Sequence, residues 1–70
     1  LTMGVSTETL VFRIKAMSEH MAETAGMMAA YGDRNNTPEA NDHADELVGA
    51  AVIAAKWAEG IERDGGGKQE

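Results

Sequence analysis

No cysteine occurs among the 70 residues, which excludes both disulfide bonds and thiolate metal sites. Proline occurs once, as Pro38, so a helix interior is disfavoured at only one point in the chain. Aromatic residues are limited to Phe12, Tyr31 and Trp57. Basic side chains are also scarce. Six of them (Arg13, Lys15, Arg34, Lys56, Arg63 and Lys68) stand against twelve acids. They form no patch, and a net charge of −6 opposes binding to nucleic-acid phosphates and anionic lipid. The longest apolar run, Leu47 to Ala55, falls far below the roughly 20 residues that span a bilayer. The opening residues show no basic stretch leading into an apolar core. A cytoplasmic protein of a bacterial host, acting without membrane or direct nucleic-acid contact, is the expectation.

Helical periodicity fills most of what is present. From Leu10 an apolar stripe runs through Ile14, Met17, Met21, Thr24, Met28 and Tyr31, with spacings alternating between four and three. Ser6 and Thr7 are candidate N-caps and Glu8 suits the positive end of the helix dipole. The strand-like alternation of Leu10, Phe12, Ile14 and Ala16 stops there, whereas the helical spacing continues. Gly32 is suited to ending a helix in the left-handed conformation, and Asp33-Arg34-Asn35-Asn36 has turn composition. Thr37-Pro38-Glu39 then supplies a cap, a proline at the first helical position and an early acid. The second stripe is Ala40, Ala44, Leu47, Ala51, Ala54, Ala58 and Ile61.

The expected organisation is a lead-in over 1–6, helix 1 over about 8–31, a loop over 32–37, helix 2 over about 38–64, and a flexible tail over 65–70 begun by Gly65-Gly66-Gly67. The fold class is all-α, an antiparallel two-helix hairpin, with the large side chains of helix 1 filling grooves left by the alanines of helix 2.

Seventy residues rarely support an isolated core, and helix 2 carries more apolar surface than one neighbour covers. Val48 and Ala55 flank its stripe on one side; Ala50, Ile53 and Trp57 flank it on the other. A homodimer forming a four-helix bundle is therefore expected, with Val48, Ile53 and Trp57 in its interface. The helical spacing places Met17, Met21 and Met28 in the core. Phe12 lies opposite the helix 1 stripe, near Glu19 and Glu23. It is covered by Met3 and Val5 of the lead-in, simply an exposed aromatic, or an anchor for a binding partner.

Catalytic chemistry has little to draw on. His43 stands between Glu39 and Glu46, but carboxylate-bridged di-iron bundles need Glu-x-x-His motifs and inward carboxylates on several helices. Helix 1 offers none. Ser18 and His20 are two residues apart and face different directions on a helix. No catalytic residue, metal ligand or cofactor site is expected, and the chain is not expected to be an enzyme.

The segment Glu46-Leu47-Val48-Gly49-Ala50-Ala51-Val52-Ile53-Ala54-Ala55-Lys56-Trp57-Ala58-Glu59-Gly60-Ile61-Glu62 resembles the second helix of small helical accessory proteins encoded by bacteriophages. Such proteins bind and disable host proteins. The resemblance implies an inhibitor, in the anti-quorum-sensing case of a LuxR-type transcriptional regulator and a pilus-assembly ATPase. A structural or assembly-accessory dimer, and an acidic nucleic-acid mimic of the anti-CRISPR kind, are the alternatives.

Overall fold

The computed structural model describes residues 6–68 and consists, over that span, of two α-helices packed as a hairpin. Helix α1 covers Thr7–Asn35 and α2 covers Pro38–Lys68. The dimensions are 53 × 24 × 13 Å and the radius of gyration is 16.0 Å, against about 11 Å for a compact chain of this length. The molecule is a single layer of two rods with two broad sides.

Ser6 caps α1. Its hydroxyl oxygen accepts from the Thr9 N–H at 3.1 Å, and its carbonyl oxygen accepts from the Leu10 N–H at 3.0 Å. The far end of α1 differs from expectation. Gly32 does not end the helix, which continues one turn to Asn35, and Asn36 adopts the left-handed conformation with φ 54° and ψ 49°. Asparagine tolerates this region better than most residues. The N–H of Thr37 then reaches back to the Gly32 carbonyl at 2.9 Å, a bond of the kind that closes Schellman termini. Only Asn36 and Thr37 separate the helices, a tighter connection than a loop over 32–37. Thr37 contributes through its main chain: its carbonyl accepts from the Ala40 N–H at 3.0 Å, while its hydroxyl donates to the Asn35 carbonyl at 3.2 Å.

Gly32 is required for another reason. A Cβ there would collide with the Asn41 side chain and lie 3.0 Å from the Thr37 carbonyl oxygen. The helices come together at this point, and Asn41 Nδ2 donates to Asp33 Oδ1 at 3.0 Å across the turn.

Between the helices runs a seam of small residues. On α2 it follows the expected stripe: Ala44, Ala51, Ala54 and Ala58 are buried, and Ala40, Leu47 and Ile61 half-buried. On α1 the seam is turned by one residue from the expected stripe. Val11, Ala25 and Gly32 are buried and Ser18 half-buried, at a spacing of seven, with half-buried Ile14, Met21 and Met28 beside them. Leu10, Met17 and Tyr31 are exposed instead. The physical reason is proximity. Alanines on α2 let the axes approach, and close axes select the smallest residues of α1 for the contact line, while larger ones pack at its margin.

Helix α2 also passes through the glycine run expected to stop it. Glycine costs about 1 kcal/mol in a helix but does not forbid one. Gly65 continues the seven-residue series of Ala44, Ala51 and Ala58, and a Cβ there would come within 2.7 Å of Thr7 Cγ2. The proposed tail is thus helical to Lys68; Gln69 and Glu70 lie outside the described residues. No helix among the described residues is long and apolar enough to cross a membrane.

Candidate interaction faces

The interior of this hairpin is thin. Among the described residues the buried apolar ones are Val11 and five alanines, and no large side chain is fully enclosed. The accessible surface is 5095 Å², where a compact protein of 7.4 kDa exposes about 4,200 Å². Large apolar side chains therefore remain on the outside, and their arrangement on the two broad sides is the informative feature.

One side is built from residues seven apart, a spacing that returns to the same face after two turns. Leu10, Met17, Thr24 and Tyr31 run along α1, and His43, Ala50 and Trp57 along α2. Thr24, Tyr31 and His43 line one apolar groove together with Met27 and Glu39, which places both series on the same side. Ile53 joins it, one turn before Trp57. Trp57 is 59% exposed and Ile53 51%. We call this the tryptophan face. Its two long edges differ in charge: Arg13, His20 and Arg34 follow the α1 edge with Glu23 among them, and Glu39 and Glu46 the α2 edge.

The opposite side carries Phe12, Val48 and Val52. Phe12 is 70% exposed and lines a cleft with Thr7, Glu8, Lys15, Glu62 and Gly65. Lys15 Nζ lies 3.2 Å from Glu62 Oε1 and bridges the two helices. Val48, Val52 and Ala55 line a second groove with Ala22 and Glu59. This phenylalanine face has acids on both edges, Glu19 and Asp33 along α1 and Asp45 and Glu59 along α2, interspersed with Lys15 and Lys56. Met3 and Val5, the expected cover for Phe12, lie outside the described residues.

Of the residues expected to share a dimer interface, the structure brings together only two. Ile53 and Trp57 are neighbours on the tryptophan face. Val48 is nine residues from Trp57, about two and a half turns, and lies on the other side with Phe12. Sequence reasoning passed over Met27, Tyr31 and Val52 as surface anchors; Tyr31 had been placed in the stripe, and the seven-residue spacing from Leu10 to Tyr31 was the signal available.

His43 Nδ1 and Glu46 Oε1 meet at 3.1 Å on the exposed surface of α2. Among the described residues, no three His, Cys, Asp or Glu side chains are grouped so as to hold a metal ion. Ser18 is engaged in the seam, its hydroxyl donating to the Ala51 carbonyl at 2.8 Å, and His20 lies on the exposed α1 edge. No protein-family model matches the chain, and no curated protein or solved structure does either.

Proposed function

We propose that this chain is a phage-accessory-type protein that acts by binding other proteins rather than by catalysis, as a dimeric four-helix bundle that inhibits a host protein. The observation carrying this reading is the phenylalanine face. It combines exposed apolar anchors, Phe12, Val48 and Val52, with acids on both edges. Aromatic anchors in the centre of a contact supply most of its affinity. Charges around them set selectivity and encounter rate. A face of this kind suits a partner with an apolar hollow and a basic surround.

DNA-binding regulators are basic where they meet phosphate, which joins this face to the bacteriophage resemblance of α2. A LuxR-type transcriptional regulator is the specific target to test, in a bacterial cytoplasm. Co-expression with such a regulator, followed by co-purification and a quorum-sensing reporter, is the deciding experiment. A stoichiometric complex and reduced reporter output are expected. Unchanged output with no complex would reject the regulator as target.

A further inference from the structure

We infer that the tryptophan face is covered by a second copy of this chain, about a twofold axis running parallel to the helices, so that α1 of each copy stacks on α2 of the other. This rests on the dimer reading above and assigns its surface and symmetry.

Area is the first argument. The broad side measures 53 by 24 Å, room for the roughly 800 Å² per partner that a stable interface buries. Leu10, Met17, Met27, Tyr31, Ile53 and Trp57 are all at least 40% exposed, and six of the nine large exposed apolar side chains among the described residues are thus on this side.

Charge decides the occupant and the axis. Twofold pairing brings a face against itself, so its edges must complement one another. Face-to-face stacking of two hairpins allows two choices of axis. An axis across the middle of the helices lays α1 on α1 and α2 on α2, so the basic edge never meets the acidic one and Glu39 and Glu46 come to the C-terminal half of α2 of the second copy. An axis along the helices lays α1 on α2, and the basic edge meets the acidic one. Gly32 packs beside Asn41 within the hairpin, so residues near 34 and near 39 share one height. The second arrangement therefore sets Arg34 against Glu39 of the second copy, twice by symmetry. It also brings Trp57 close to the height of Met17 of the second copy, a favourable sulfur–aromatic pairing. The phenylalanine face carries Lys15 and Lys56 among its acids, so its two edges show no such division of charge.

The test uses the full chain and light scattering at micromolar concentration. Wild type is expected to be a dimer. Arg34→Glu and Glu39→Arg, each alone, are expected to weaken dimerisation about tenfold, since two attractive contacts become repulsive. An equimolar mixture of the two variants places opposite charges together again at both contacts, and heterodimers of near wild-type affinity are expected. Cysteine pairing gives an independent reading in a chain without cysteine. Thr24→Cys mixed with Ala50→Cys should give a disulfide-linked heterodimer. An axis across the middle of the helices would instead bring Thr24 near its own counterpart. A monomeric wild type would overturn both this inference and the dimer reading. A wild-type dimer with no rescue on mixing, or with ready self-crosslinking of Thr24→Cys, would overturn the assignment of face and axis while leaving the dimer standing.

Discussion

The hydroxyl of Ser18 donates to the main-chain carbonyl oxygen of Ala51 at 2.8 Å, joining the two helices near their middle. A side chain with one carbon reaches a neighbouring helix backbone only where nothing larger intervenes, and Ala51 and Ala54 supply that space. Removing the hydroxyl forfeits about 1 kcal/mol of hydrogen bonding, partly offset because alanine favours helix by a few tenths of a kcal/mol over serine. Enlarging the residue acts differently. Ser18→Leu must push the axes apart, and overpacking of this kind costs about 1–3 kcal/mol. Urea unfolding should therefore rank Ser18→Ala well above Ser18→Leu in stability. Equal stability of Ser18→Leu and wild type would show that the seam is not held closed here.

Gly32 and Asn41 should be coupled. Gly32→Ala gains up to about 1 kcal/mol of helix propensity but drives a methyl group into the Asn41 side chain and against the Thr37 carbonyl. Displacing Asn41 also breaks its bond to Asp33. Net destabilisation of about 1–2 kcal/mol is expected, by the magnitude typical of overpacking. In an Asn41→Ala background the same change should cost much less. A double-mutant cycle showing additive effects would mean that the two side chains do not compete for this space.

Much of the hairpin was legible in the sequence, and the reasons for the failures are physical. The α2 stripe was read correctly because its four-and-three spacing runs unbroken from Ala40 to Ile61, although larger apolar residues such as Val48, Ile53 and Trp57 flank it. On α1 two stripes of equal spacing overlap, sharing Ile14, Met21 and Met28. Hydrophobicity favours the one with Leu10 and Met17. Packing against alanines favours the one with Val11, Ser18, Ala25 and Gly32, and that preference belongs to the opposing helix. Both glycine positions were misjudged for a related cause. Gly32 and Gly65 sit at close approaches rather than at helix stops, and which residue lies opposite is a tertiary fact. Phe12 was recognised as standing outside the stripe because its helical angle alone shows it.

Gly49 provides a contrasting case. It lies within α2, exposed, and a Cβ built there meets nothing within 4 Å. It projects toward neither the seam nor the tryptophan face. Gly49→Ala should raise stability by about 0.5–1 kcal/mol through reduced unfolded-state freedom and better helix propensity. Thermal unfolding checks this directly. A loss of stability would indicate that another chain packs on this edge.

Dimerisation and partner binding are expected to separate by mutation, since the two broad faces point in opposite directions. Trp57→Asp places a charge in the centre of the tryptophan face and should dissociate the dimer, because an unpaired buried charge costs several kcal/mol. Phe12→Ala should leave the dimer intact on light scattering, as Phe12 contributes nothing to the seam or to the tryptophan face. Its effect is expected on binding of the proposed partner, with a loss of about 2 kcal/mol or more for a central anchor, or some thirtyfold in affinity. Glu59→Lys, on the edge of the same face, should act mainly on the association rate, which falls with added salt in wild type and less in the variant. This pattern also distinguishes an apolar-anchored inhibitor from a nucleic-acid mimic. A mimic depends on many acids and loses affinity steeply with salt, and Phe12→Ala would change it little. Binding that survives Phe12→Ala but collapses between low and moderate salt would assign the acidic surface, not the aromatic anchor, as the functional element.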